Sequence, residues 1–129
     1  MTAARILVVD DVPSIRQSMR FCLEQEAGWV ICGEAENGKV AVDQVQELRP
    51  DVVIIDLSMP VMNGLDAARA IKAIAPGTHI LMFTLHTYPY LTDEARKVGI
   101  DRVLSKADSG GAELLQAVRT LVYKHCLAS

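Results

Sequence analysis

Asp51-Val52-Val53-Ile54-Ile55-Asp56-Leu57-Ser58-Met59-Pro60 is the stretch that decides the fold. Four consecutive β-branched residues with no polar interruption suit a strand covered on both faces, as in a parallel sheet between helical layers. The run ends on a carboxylate, Asp56. The same form occurs upstream, where Ile6-Leu7-Val8-Val9 ends on Asp10 and Asp11. Downstream, Ile80 to Phe83 ends on the hydroxyl of Thr84, and a short run at Val103-Leu104 leads to the ammonium of Lys106. In an open parallel sheet the strand C-termini face one crevice. Three acids, a hydroxyl and a lysine gathered there point to a divalent cation and a phosphoryl group.

Helical patterns fill the intervals. Pro13 suits the first turn of a helix, with Ile15, Met19 and Cys22 at helical spacing, and Gly28 is expected to end it. Trp29 to Cys32 reads as a second strand and Asn37-Gly38 as a turn. Ala41, Val45 and Leu48 give the second helix its face, closed by Pro50. Asn63 is a good N-cap for a third helix, with Ala67, Ile71 and Ile74 on one face and Pro76-Gly77 beyond its end. Leu91, Ala95 and Val98 mark a weaker fourth helix ending near Gly99, and Leu114, Val118 and Leu121 a final one. Strands alternating with helices predict an α/β sandwich with right-handed crossovers.

The chain has 129 residues, enough for one domain with a proper core. Half of it is hydrophobic but only 5% aromatic, so that core must be aliphatic. A net charge of -3 argues against nonspecific binding to nucleic acid or membranes. Cys22, Cys32 and Cys126 show no metal-ligand spacing and read as reduced thiols of a cytoplasmic protein. The apolar run that stops at Asp10 is too short for a signal peptide or a membrane span.

With these residues in place, the chain resembles the receiver domain of two-component response regulators. The resemblance rests on Asp10-Asp11, Asp56, Met59-Pro60, Gly64, Thr84 and Lys106, each at the end of its strand or just beyond, and covers nearly the whole chain, 1–129, as a single receiver. It implies a flavodoxin-like (βα)5 three-layer sandwich of strand order 2-1-3-4-5. It also implies a phosphorylation-dependent signalling switch rather than a turnover enzyme. Asp56 would accept a phosphoryl group from a sensor histidine kinase, with Mg2+ (or Mn2+) required. Asp11 and Asp56 would be direct metal ligands, Asp10 would act mainly through water, and the backbone carbonyl of Ser58 would complete the protein's share. Lys106 would neutralise phosphoryl charge and Thr84 would donate a hydrogen bond to it. Taken alone, Asp10-Asp11 could equally cap the helix that starts near Pro13, Lys106 could be a surface lysine, and Thr84 an ordinary strand residue.

The Thr84-Leu85-His86 and Ser105-Lys106-Ala107-Asp108 runs resemble receivers of NarL/LuxR-type transcription regulators. Those carry a C-terminal helix-turn-helix DNA-binding domain. Here the chain stops at Ser129 with no basic helix-turn-helix segment, so it reads as an excised or stand-alone receiver that does not itself bind DNA. Homodimerisation on phosphorylation is a further expectation of the resemblance.

Three positions depart from the family pattern. Val103 stands where an aromatic switch residue is usual, with Tyr88 and Tyr90 as candidate substitutes. Ala107 stands where many receivers have a proline after a cis bond, so a cis Lys106-Ala107 bond would be strained. Leu85 replaces a small residue and could narrow access to Asp56. His86 and Ser58 occupy the positions that in the family tune loss of the phosphoryl group to water. Two alternatives stand beside the switch. A pseudo-receiver would be a protein-interaction module that is never phosphorylated. A haloacid-dehalogenase-like phosphatase would need an acid two residues after its nucleophile, where this chain has Ser58.

Overall fold

The alternation of strand and helix patterns produces ten elements in a computed structural model that describes residues 3–128. In order they are β1 Ala4–Val9, α1 Pro13–Leu23, β2 Trp29–Ala35, α2 Gly38–Leu48, β3 Val52–Ile55, α3 Gly64–Ile74, β4 His79–Thr84, α4 Leu91–Lys97, β5 Arg102–Ser105 and α5 Gly111–Ala128. The five strands form one sheet in the order β2-β1-β3-β4-β5, and each paired neighbour is parallel. This is the flavodoxin-like order expected.

Strand periodicity divides the core. Successive side chains of a strand point to opposite faces. Leu7 and Val9 of β1, with Val53 and Ile55 of β3, therefore pack against Ala41, Val45, Ala67, Ile71, Leu91 and Ala95 from α2, α3 and α4. Ile6, Val8, Val52 and Ile54 face the other way, onto Met19 and Leu23 of α1 and Leu114, Val118 and Leu121 of α5. All four residues of β3 are fully buried, which is why that strand reads as an unbroken apolar run.

Several local expectations are corrected. Gly28 does not end the first helix. α1 stops at Leu23, capped by Glu24, and Gly28 takes a left-handed φ of 86° just before β2. Asn37-Gly38 is not a free turn. The Asn37 side chain accepts a hydrogen bond from the Val40 amide at 2.9 Å, making it the N-cap of α2, and Gly38 is the first helical residue. β2 runs on through Gly33 and Glu34 to Ala35, because β1 supplies backbone partners over that whole length. In α3 the Asn63 cap is as expected, with its side chain accepting from Asp66 at 2.9 Å. Its buried stripe takes Ala68 in addition to Ala67 and Ile71, while Ile74 at the helix end is exposed. No cis peptide bond occurs among the described residues, so Lys106-Ala107 is trans.

Candidate functional site

β1 and β3 lie side by side, with Val9 in register with Ile55, so the residues that follow each strand emerge together. The Asp56 amide donates to the Val9 carbonyl at 3.0 Å, and the Asp10 amide to Ala35 at 3.0 Å. The sheet ladder thus fixes both aspartates at the backbone. Carboxylate oxygens of Asp10, Asp11 and Asp56 all lie within 4.8 Å of one another. Asp10 is fully buried, Asp56 nearly so, and Asp11 is exposed.

Among the described residues, one ammonium answers two of these acids. Lys106 Nζ donates to Asp10 Oδ2 and, at 3.3 Å, to Asp56 Oδ2. Its backbone is held as well, with the Lys106 amide on the Thr84 carbonyl at 2.9 Å. The ammonium also lies 5.8 Å from the ring centre of Phe83. Lys106 is therefore no surface lysine: only 10% of its side chain is exposed.

The two oxygens of Asp56 differ sharply. Oδ2 has Lys106, whereas Oδ1 is buried and has no hydrogen-bond partner. A buried, unpaired carboxylate oxygen is costly and calls for a cation or a reaction. With two more carboxylates within reach, the donor set is that of a hard, oxygen-seeking dication such as Mg2+. Asp10 also has a local task. Its Oδ1 accepts from the Val12 amide at 2.9 Å, shaping the entry to α1, but the N-cap residue is Val12, which supplies no side-chain cap.

Thr84, the last residue of β4, is fully buried, and its Oγ1 accepts from the His86 amide at 3.1 Å. A hydroxyl used as an acceptor keeps its own proton to give. Leu85 and His86 are exposed. The side chain of Ser58 is likewise exposed. Val103 is partly buried against the α2-α3-α4 side of the core, while Tyr88 and Tyr90 are 40% and 71% exposed.

The loop after β3 is shaped by two residues. A Cβ on Gly64 would fall 2.2 Å from the Asp56 carbonyl oxygen, so only glycine lets α3 start this close to the site. Val61 has a φ of 69°, and the Met62 amide reaches back to the Pro60 carbonyl at 2.7 Å. That is a γ-turn with a β-branched residue at its strained centre.

Arg16 belongs to the site although the sequence reading passed over it. Its Nη1 donates to the Asp10 carbonyl at 2.6 Å, and its Nε pairs with Glu34 at 3.1 Å. Arg20 shares Glu34 at 2.9 Å. The arginine thereby holds the acid-bearing loop against β2. A signal was present in Glu34, a carboxylate inside a strand, which needs a cation nearby.

Comparison with known proteins agrees with this geometry. Residues 6–119 match the family described as the response regulator receiver domain. The chain is 38% identical over 95 residues to the chemotaxis protein CheY of Thermotoga maritima, covering 74% of this chain and 78% of that protein. It is 40% identical over 111 residues to a protein-glutamate methylesterase/protein-glutamine glutaminase of Alkalilimnicola ehrlichii; the match covers 86% of this chain but spans only 26% of that protein's length. Among solved structures, a LuxR-family two-component response regulator from Aurantimonas superposes with a TM-score of 0.90 at 32% identity, over 95% of this chain and 87% of that one. The acid-lined end of a 2-1-3-4-5 sheet and the match over residues 6–119 lead to one conclusion: the chain belongs to the response regulator receiver domain family.

Proposed function

We propose that this chain is the phosphoacceptor of a two-component signalling pathway, receiving a phosphoryl group on Asp56 from a partner histidine kinase. The observation that carries this reading is the buried, unpartnered Oδ1 of Asp56 beside two further carboxylates and Lys106. In the step proposed, an Asp56 carboxylate oxygen bonds to phosphorus as the bond from phosphorus to the donor imidazole nitrogen breaks. The electron pair leaves with the imidazole.

Such transfers need little covalent help from the protein and much positioning and charge neutralisation. Asp11 and Asp56, with Asp10 through water and the carbonyl of Ser58, would hold Mg2+ (or Mn2+). The ion supplies charge neutralisation at the phosphoryl oxygens. Lys106 would do the same from the opposite side, and Thr84 would offer its hydroxyl proton to a phosphoryl oxygen. His86 and Ser58, at the exposed rim, would set how fast water removes the group.

The unit proposed is a single receiver over 1–129, acting in the cytoplasm and signalling by changed association with itself or a partner rather than by touching DNA. Among the described residues no helix is long and apolar enough to cross a membrane. With Val103 partly buried in the core, the switch would run through the Thr84 loop and the α4 side without an aromatic rotamer at 103. Intact-mass measurement after incubation with acetyl phosphate tests the reading. A single phosphoryl adduct that needs Mg2+ and vanishes in Asp56→Asn supports it. A folded protein that takes no adduct from acetyl phosphate or from a histidine kinase would favour the pseudo-receiver instead.

A further inference from the structure

β2 carries one residue more than its partner strand can match. Ile6 of β1 lies opposite Ile31, but Leu7 lies opposite Gly33, so Cys32 is extra. Bulges are rare in parallel pairs, gather beside active sites, and re-aim the side chains that follow them. Here the effect shows on both faces of the sheet. Ile31 packs on the α1-α5 side of the core and Cys32 on the α2-α3-α4 side. Gly33 faces α2 as well: a Cβ there would fall 2.6 Å from Gln44 Oε1 and 2.9 Å from Leu48 Cδ1. Two successive residues thus point the same way, and the alternation beyond them is inverted. Under strict alternation from Ile31, Glu34 would face α2. With the extra residue it faces α1, and Ala35 takes the buried place on the α2 side.

The re-aimed carboxylate meets two arginines of α1. Glu34 Oε1 accepts from Arg16 Nε at 3.1 Å, and Oε2 accepts from Arg20 Nη1 at 2.9 Å. The Glu34 carbonyl is held by Gln44 Nε2 at 2.6 Å. The two arginines differ in what else they touch. Arg20 pairs with Glu24, 2.7 Å away at the end of the helix. Arg16 reaches inward, its Nη1 donating to the Asp10 carbonyl at 2.6 Å. That carbonyl belongs to the peptide joining Asp10 to Asp11. Asp10 has further ties: its amide donates to Ala35, and its carboxylate accepts from Lys106 and from the Val12 amide. Asp11 is exposed, so the plane of the Asp10-Asp11 peptide sets where its carboxylate points. An arginine anchored by Glu34 holds that plane, whereas an unanchored one would have to give up its rotamer freedom to do so.

We propose that Arg16 and Glu34 are positioning residues for the cation site. Glu34, aimed by the bulge, anchors Arg16, and Arg16 turns the Asp10-Asp11 peptide so that the Asp11 carboxylate faces Asp56. Neither residue touches the ion, and both raise its affinity by fixing a ligand in advance. The inference rests on the Mg2+ site proposed above.

Mg2+ titration of the unphosphorylated full chain, followed by amide chemical shifts in NMR, tests it. Arg16→Ala should weaken Mg2+ binding about tenfold, as loss of a partner that orients a metal ligand does elsewhere. Glu34→Ala should weaken it less, in the same direction. Arg16→Lys, which keeps one donor for the Asp10 carbonyl, should recover part of the loss. Arg20→Ala removes two ion pairs of the same network but nothing at Asp10, and should bind Mg2+ as the wild type does. General loosening of α1 would lower both arginine variants alike. Thermal midpoints in EDTA check that each variant is folded, and Glu34→Ala carries the test if Arg16→Ala is not. Wild-type affinity in the folded Arg16→Ala or Glu34→Ala variant overturns the proposal, as does an equal loss in Arg20→Ala. Either result leaves the phosphoacceptor reading standing, provided that Asp56→Asn still abolishes the adduct. A wild type with no saturable Mg2+ shifts overturns both.

Discussion

Asp56, at the C-terminal edge of the sheet, has one carboxylate oxygen that no donor reaches. Asp101, at the N-terminal edge, has both oxygens engaged, one by the Ile80 amide and one by His79. Asp51 repeats that pattern with Arg5 and His125. The residue type is the same, and both kinds of aspartate flank strands. The N-terminal pair is spent on closing the fold. In the C-terminal trio Asp10 and Asp56 share Lys106, which leaves Asp56 with an oxygen of unmet demand where the strands open onto the crevice. Chemistry is placed where the fold leaves a polar group unsatisfied, and stability where it does not.

The sharpest way to break this contrast is to remove Lys106. Lys106→Met strips the buried carboxylates of Asp10 and Asp56 of their counter-charge, and breaking such a pair costs about 3–5 kcal/mol. Urea denaturation in EDTA should show a loss of that order, and added Mg2+ should recover much of it. A loss untouched by Mg2+ would mean that the acids do not share a cation site. Next in size is Asp101→Ala, which leaves the Ile80 amide without its acceptor at about 1–3 kcal/mol. Its acetyl phosphate reaction should proceed at the wild-type rate, whereas Asp56→Asn should abolish the reaction. A slowed reaction in Asp101→Ala would erase the division between the two edges.

The smallest effect concerns backbone strain. Each side of β3 has one left-handed residue, Arg49 before it and Val61 after it. Arg49 is the C-cap of α2, where that conformation is ordinary. Val61 is β-branched and sits in a γ-turn next to the site. Val61→Gly should therefore stabilise the protein by about 1 kcal/mol, and Arg49→Gly by less, both read from thermal midpoints. Equal gains would show that the turn after β3 holds no special strain.

Much of the fold was legible because its signals are local. β3 falls at Val52–Ile55 as read, since an apolar run bounded by Asp51 and Asp56 admits few other readings. The Asn63 cap and the Pro13 start were equally direct. The reading failed where a partner overrode local preference. Gly33 and Glu34 look like a strand's end in isolation, yet β1 pairs with them, and Asn37-Gly38 looks like a turn until its side chain caps α2. In the site, the gathering of Asp10, Asp11, Asp56 and Lys106 was legible because strand direction alone sends them to one crevice. Arg16 was not, because its bond to the site goes to a backbone carbonyl, and the mark it does leave in residue types, Glu34 within β2, lies 18 residues away.

The sequence by itself determined which strands are buried, in which direction their ends point, and which acids and lysine collect there. Those follow from two-residue periodicity and from chain direction, which each segment carries alone. Only the tertiary structure decided that Lys106 meets Asp10 across 96 residues of chain, that Asp56 keeps one oxygen free, and that His79 and His125 face each other across the base of the sheet. These depend on how helices settle on the sheet and which donors remain after every backbone group is paired, a balance struck over the whole molecule.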